Sequence, residues 1–412
     1  MTRRILWRLG VVKSPGLSAG SRFWRGIRPG GSQGVSVMIS RLRLLLLTFL
    51  TLLIGLSSAS AQSRSLSKRV IADYGYWSQT SNPPYSAAQI PFNELTHINH
   101  AGVSFAADGT LSVPTGFLEP ALITKAHAAG VKVLLLLGGD FVGLETSGAL
   151  NTFVANVGAF VTQYGYDGFD LDWEYPASTA DRIFLDKLTA ALRVAYPNDI
   201  LSIYLAPWGG YGYDLVRLQK SVDWFNILMF DCAGPWTAYG QLNSPIFWNW
   251  HDPAPSECQP GGSADGTANI FLAQVPPDQL NMGMPFYGYY YTNINQEFAR
   301  CPNSYWTADG ACDYTVETLN YGIAIKNRIN KQGWKSYRDP IAFVPYLLMA
   351  DGSNGYITYD DEFSTYYRTW YSDWERGLGG TWMWSLDADY DGHSQDLLSA
   401  MYQAATSGAG KK

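Results

Sequence analysis

Charge is scarce in this chain of 412 residues: Asp, Glu, Lys and Arg together make up 16%, and 35 acids against 29 bases leave a formal net charge of -6. A basic face is therefore missing, which argues against a nucleic acid or an anionic membrane surface as the partner. Histidine is sparse at five residues and forms no paired-ligand spacing. The four cysteines, Cys232, Cys258, Cys301 and Cys312, are not spaced as in a zinc site, so neither a metal nor a cofactor is expected. Long apolar runs are lacking too, since Leu44 to Leu56 is shorter than the ~20 residues that span a bilayer.

That apolar run reads instead as an export signal. Arg41 and Arg43 precede it and Ala59-Ser60-Ala61 follows as a small-x-small cleavage site, so residues 1–61 are expected to be an N-terminal extension plus signal peptide. Residues 1–37, basic and Gly-rich, lie upstream of a possible start at Met38. The expected product is secreted, extracellular or periplasmic, with no membrane anchor after cleavage and a monomeric state. An even cysteine count in an exported chain suggests two disulfides, with the local pairs Cys232–Cys258 and Cys301–Cys312 favoured among three connectivities.

What the chain has in excess is aromatic rings. They reach 15% of residues, with 15 Trp and 27 Tyr, more than packing usually demands. Part of that surplus is expected to face a ligand that is polar but uncharged.

Asp167 to Pro176 reads DGFDLDWEYP and holds four acids as D-x-x-D-x-D-x-E. In a β-strand alternate side chains share a face, so Asp170, Asp172 and Glu174 point one way, roughly 6.6 Å apart per pair of residues. Phe169, Leu171 and Trp173 take the other face. Three carboxylates in a half-buried row repel one another and resist desolvation unless one carries a proton, and a carboxyl held neutral near pH 7 is what a general acid must be. A solvated acidic face and a calcium site are the plain alternatives. A calcium loop, however, places Gly, Asn and turn residues between its ligands, where this segment has Phe, Leu and Trp.

Eight short apolar runs recur after Lys68: Val70 to Trp77, Thr96 to Phe105, Val131 to Gly139, Gly168 to Tyr175, Ile200 to Pro207, Trp224 to Asp231, Leu280 to Tyr287 and Gly380 to Leu386. Helix-period stretches separate them, including Phe117 to Ala129, Asn151 to Tyr164 and Asp181 to Ala195 behind a Thr179 N-cap, with a last helix over Ser394 to Thr406. Eight βα alternations predict a closed (β/α)8 TIM barrel of the α/β class, whose active residues gather at the C-terminal ends of its strands. Glu174, Asp231 and Trp384 end three different runs and so meet on one rim. A small α+β insertion is expected between strands 7 and 8, with a Cys301/Cys312 loop, a helix from about Val316 to Lys331, and a hairpin of Ala342 to Leu348 with Gly355 to Tyr359. The division is then barrel over 69–290, insertion over 291–356, barrel again over 357–406, and a tail over 407–412. The insertion would raise one wall of the site and turn a dish into a groove.

From Arg69 to Ala405 the sequence resembles glycoside hydrolase family 18, the chitinases. Besides the acid motif, the resemblance rests on Val133 to Gly139, on Asn226 to Trp236 (NILMFDCAGPW), on Met282 to Gly288 (MGMPFYG) and on Gly377 to Asp391 (GLGGTWMWSLDADYD), all in family order. It implies the barrel, the chitinase insertion domain, and chitin or N-acetylglucosamine oligomers as partner. Catalysis would be substrate-assisted, with Glu174 as acid and base, Asp172 orienting the sugar's acetamido group and Asp170 sharing a proton with Asp172. Asp167, Gly138 and Gly139 would be structural parts of the motifs, and Trp384 the floor of the distorted sugar. Tyr74, Trp208, Tyr211, Asp231, Trp236, Tyr287 and Tyr289 are further groove candidates.

The family pattern is broken at four positions. Leu136 stands for a Ser before the Gly pair, Asp140 for an aromatic after it, and Tyr289 for an Arg. Phe230 stands where a Tyr hydroxyl would bond the acetamide oxygen, and the loss of that bond would cost about 100-fold in rate unless another hydroxyl, such as that of Tyr287 or Tyr289, takes over.

Overall fold

The computed structural model describes residues 67–209, 213–253, 258–301, 312 and 316–408. The expected export signal with its cleavage at Ala61, the groove candidate Tyr211 and most of the tail lie outside the described residues. Eight parallel strands form the inner sheet: Arg69–Gly75, His97–Phe105, Lys132–Leu137, Gly168–Leu171, Ile200–Leu205, Trp224–Ile227, Leu280–Pro285 and Gly380–Trp384. Each pairs with the next in chain order, and the first pairs with both the second and the eighth, closing the barrel. Seven fall within the apolar runs of the sequence and the first begins one residue before its run, because a strand covered by helices outside and side chains inside is mostly apolar on both faces.

Strand alternation sorts the core into two layers. Val70, Ala72, Val133, Leu135, Phe169, Leu171 and Ile203 face outward and pack under the helices. Ile71, Leu134, Leu136, Tyr204, Trp224 and Trp382 fill the barrel interior. Helices Pro120–Ala128, Leu150–Tyr164, Thr179–Ala195 and Asp396–Ser407 form part of the outer ring. Both disulfides, Cys232–Cys258 and Cys301–Cys312, join the local pairs.

The second sheet has five antiparallel strands, ordered Val316–Asn320, Tyr287–Tyr291, Tyr356–Thr358, Pro345–Met349 and Trp334–Arg338. The expected hairpin is present, with Tyr346 opposite Thr358 and Leu348 opposite Tyr356. The expected helix over Val316 to Lys331 is largely absent. Its first five residues form a strand that pairs Val316 with Tyr291 and Asn320 with Tyr287, and helical turns begin only at Tyr321. The β-branched Val316 and Thr318 suit that ladder, and the long-range pairing overrides local helix propensity.

The helix after the acid motif begins one residue earlier than expected. Its N-cap is Ser178, whose hydroxyl accepts the Asp181 N–H, while the Asp181 carboxylate accepts the N–H groups of Ser178 (2.9 Å) and Ala177 (2.7 Å). This capping box anchors the segment that leads away from Glu174. Replacing Ser178 by Ala is expected to lower unfolding stability by about 1 kcal/mol. Urea denaturation checks this, and an unchanged midpoint would show that the cap does not hold the segment.

Candidate active site

Asp170, Asp172 and Glu174 rise in one row from the barrel interior to its rim. The fourth strand's ladder ends at Leu171, and the Asp172 N–H extends it by one bond to Leu137 C=O at 2.9 Å. Phe169, Leu171 and Trp173 point the other way into the outer core, where Trp173 stacks on Phe141 with ring centroids 4.8 Å apart. Burial falls along the row: Asp170 is fully buried, Asp172 partly, and Glu174 opens to solvent.

A polar ladder inside the barrel supports the buried end. Arg69 Nε donates to Asn281 Oδ1 at 2.9 Å, Asn281 Nδ2 to Asn226 Oδ1 at 2.9 Å, and Asn226 Nδ2 to Asp170 Oδ1 at 3.4 Å. Ser202 Oγ donates to the same Asp170 oxygen at 2.5 Å. Asp170 Oδ2 and Asp172 Oδ1 are both buried and find no donor. Two acceptor oxygens facing no donor are satisfied if one of these carboxyls carries a proton, which turns an acceptor into a donor.

The electrostatics agree. Burial raises the Asp170 carboxyl to about 6 against its hydrogen bonds from Ser202, Tyr204 and Asn226. Burial, then the charges of Glu174 and Asp170, push Asp172 well above the ordinary range. Burial also raises Glu174, opposed by hydrogen bonds with Asp172 and Tyr175 and aided by the charge of Asp231. The row thus retains a proton above the pH at which isolated carboxyls lose theirs.

A cavity of about 130 Å³ opens above the row, lined by Asp73, Asp172, Glu174, Tyr204, Leu228, Phe230, Asp231, Tyr287, Trp382 and Trp384. A second, of about 250 Å³, shares Asp231, Tyr287 and Trp384 with the first and adds Tyr289, Thr318, Asn320, Ser385 and Ala388. The shared lining makes one groove, and its far wall comes from the antiparallel sheet. Trp384 stands beside Trp77, ring centroids 6.1 Å apart, and Trp77 is 43% exposed.

The other sequence candidates divide. Asp231, Phe230, Tyr287 and Trp384 line the first cavity, and Tyr289 lines the second. Trp236, 41% exposed, stands edge-on to Tyr289 at 5.9 Å. Trp208 packs edge-on against Tyr175 at 4.8 Å, beside the rim. Tyr74 is not brought to the groove: it faces outward, fully buried, stacked on His100 with its hydroxyl donating to Glu119 at 2.6 Å. Its neighbour Asp73 takes the inward position, as strand alternation requires. Asp167 sits at the opposite end of its strand, accepting from Lys132 (2.7 Å), His127 (2.8 Å) and the Val133 N–H (2.9 Å), a structural clamp. At Gly139 a Cβ would meet Phe105 at 2.8 Å, whereas at Gly138 the nearest atom is 3.7 Å away, so backbone closeness demands glycine only at the second.

The hydroxyls of Tyr287 and Tyr289 are not free to replace the one that Phe230 lacks. Both donate to Asp231 Oδ1, Tyr289 at 2.7 Å. Asp73 and Tyr204 were missed among the groove residues. The signal for Asp73 was a lone acid in the apolar run Val70 to Tyr74, on the face opposite Tyr74.

The family model described as glycosyl hydrolases family 18 matches residues 69–389. Chitinase A1 of Niallia circulans is 26% identical, over 86% of this chain and 61% of that protein, so the chain spans less than two thirds of that relative's length. Chitinase 1 of Aphanocladium album is 25% identical over 77% of this chain and 81% of its own. The crystal structure of Ostrinia furnacalis Group II chitinase catalytic domain 2 superposes with a TM-score of 0.72 at 24% identity, covering 83% of this chain and 97% of that one.

A buried carboxyl with a raised pKa has a definite effect on stability. The folded chain holds protons that the unfolded chain has released, so stability falls as pH rises from the ordinary carboxylate range through the raised folded value. Replacing Asp172 by Asn is expected to stabilise the fold by about 1 kcal/mol, in keeping with other changes that relax a strained active site. The rise in Tm should be larger at pH 8 than at pH 4, where the row is already protonated. Equal Tm changes at the two pH values would contradict the raised pKa.

Proposed function

The chain belongs to glycosyl hydrolases family 18, and on that premise we propose that it is a secreted chitinase cleaving β-1,4 bonds between N-acetylglucosamine units with retention of configuration. The observation that carries this reading is the proton-sharing row Asp170, Asp172 and Glu174, which opens into a cavity beside Trp384. Glu174, the most exposed of the three, donates its proton to the glycosidic oxygen. As the C1–O bond breaks, the acetamido oxygen of the same sugar attacks C1 and the leaving alcohol departs with the proton. The resulting oxazolinium ring carries positive charge beside Asp172. Glu174, now a carboxylate, takes a proton from water as that water attacks C1 from the face the leaving group left, which reopens the ring and restores the acid.

The apolar side of the cavity, Leu228, Phe230 and Trp382, suits the acetyl methyl, and the ring of Trp384 suits the C–H face of a pyranose. The groove walled by Tyr289, Thr318 and Asn320 favours a linear oligomer over a branched glycoprotein glycan, the substrate of the related endo-β-N-acetylglucosaminidase reading. A chitin-binding lectin on the same scaffold is the reading that Phe230 favours, and turnover separates the two. The protein is proposed to act as a monomer outside the cell.

Glu174→Gln is expected to abolish turnover of soluble chitin oligomers while leaving their binding within about threefold, since the amide keeps the shape and loses the proton. Undiminished turnover would sink the assignment. Fully deacetylated oligomers are expected to survive incubation, because the nucleophile belongs to the acetyl group. Their efficient hydrolysis, followed by reducing-end release, would refute substrate assistance.

A further inference from the structure

We propose that Tyr204, oriented by Asp73, is the hydrogen-bond donor to the carbonyl oxygen of the substrate's C2 acetamido group. The inference rests on the acetamido-sugar reading above and assigns two residues that reading left without a role.

The site needs a donor that its obvious members cannot provide. Glu174 spends its proton on the glycosidic oxygen, the proton of Asp170 and Asp172 is shared within the row, Asp231 accepts two hydroxyls, and Phe230 has no polar atom. Among the described residues lining the first cavity, hydroxyls come from Tyr204 and Tyr287. Tyr287 is committed to Asp231, which Tyr289 also binds. Tyr204 remains.

Its position is fixed from both sides. The ring is almost wholly buried and meets Trp382 edge-on at 4.8 Å, and Phe230 meets the same indole at 5.3 Å. Tyr204 and Phe230 thus belong to the same apolar end of the cavity, where the acetyl group fits. The Tyr204 oxygen lies 2.7 Å from Asp73 Oδ2 and 3.3 Å from Asn99 Nδ2, and Asn99 Nδ2 also donates to Asp73 Oδ1 at 2.9 Å.

The direction of the 2.7 Å contact decides what Tyr204 can do. If Asp73 were ionised, it would claim the phenol proton. Asp73 is fully buried, and the charges that act on it, Asp170 and Asp172, have its own sign. Burial first and these charges second hold its carboxyl well above the ordinary range, against the hydrogen bonds from Tyr204 and Asn99. With the proton on Asp73, the acid donates to the phenol oxygen and the Tyr204 proton is free for a group in the cavity. Asp170, whose carboxyl feels the Tyr204 hydroxyl, accepts from Ser202 and Asn226 and so keeps partners when substrate draws the hydroxyl away. Tyr204 then holds the acetamide oxygen in line with C1, and Asp73 is a positioning residue that acts through it.

Three variants test the assignment on soluble chitin oligomers, with folding followed by Tm. Tyr204→Phe is expected to lower kcat about 100-fold with KM changed less than about threefold, the size of effect seen when a reacting group is misplaced. Asp73→Asn, whose amide N–H donates to the phenol oxygen as the protonated acid does, is expected to keep kcat within about fivefold. Asp73→Leu, which cannot donate, should fall with Tyr204→Phe. A Tyr204→Phe chain with unaltered kcat would overturn the role of Tyr204. Equal losses in Asp73→Asn and Asp73→Leu would overturn the proton on Asp73. Failure of the acetamido-sugar reading itself is distinct, since the unmodified chain would then leave chitin oligomers intact.

Discussion

Asp73, Asp170, Asp172 and Glu174 share the inside of one small barrel and its mouth, and water reaches only the outermost freely. Asp73 and Asp170 are fully buried, Asp172 is partly buried, and Glu174 stands at the rim. Such a set cannot all ionise at neutral pH without a large desolvation and repulsion cost. Much of the interior is arranged around that constraint. Ser202, Asn226, Asn281 and Arg69 form a ladder that ends on Asp170, while Asn99 and Tyr204 hold Asp73. The remaining buried oxygens, on Asp170 and Asp172, are left for a shared proton. Stability is given up there, and an acid that keeps its proton above the ordinary carboxylate range is what the arrangement supplies.

The same economy of charge extends to the rim. Asp231 takes two tyrosyl hydroxyls instead of a base, and both come from the first strand of the antiparallel sheet, Tyr287–Tyr291. The antiparallel sheet is therefore tied to the cavity by hydrogen bonds as well as by walling it. Around this polar seam the aromatic surplus of the composition finds its place, with Trp77, Trp236 and Trp384 at the opening. Uncharged polymers of sugar rings suit such a surface, in which flat apolar faces alternate with acceptors and donors.

The eight barrel strands and the acid row were legible because period and burial agree: apolar runs of strand length, and carboxyls at every second residue from Asp170 to Glu174. The disulfides followed from local spacing. What escaped was set by contacts far apart in sequence. Val316 to Asn320 looked helical by composition, yet they pair with Tyr287 to Tyr291. Tyr74 and Asp73 are neighbours with opposite facings, and the bulky aromatic drew attention from the acid that enters the barrel. Tyr204 could not be assigned from its own segment at all, since its meaning comes from Asp73, 131 residues away. That Asp231 holds the hydroxyls of both Tyr287 and Tyr289 is likewise visible only in the fold.

In the proposed reaction this carboxyl row serves an acid and base whose nucleophile is the substrate's own acetamide. The most direct measurement is the anomeric configuration of the first product, followed by proton NMR during cleavage of a chitin oligomer before mutarotation scrambles it. Two displacements at C1 predict that the new reducing end appears first as the β-anomer. Initial release of the α-anomer would mean a single displacement by water, and would contradict the account.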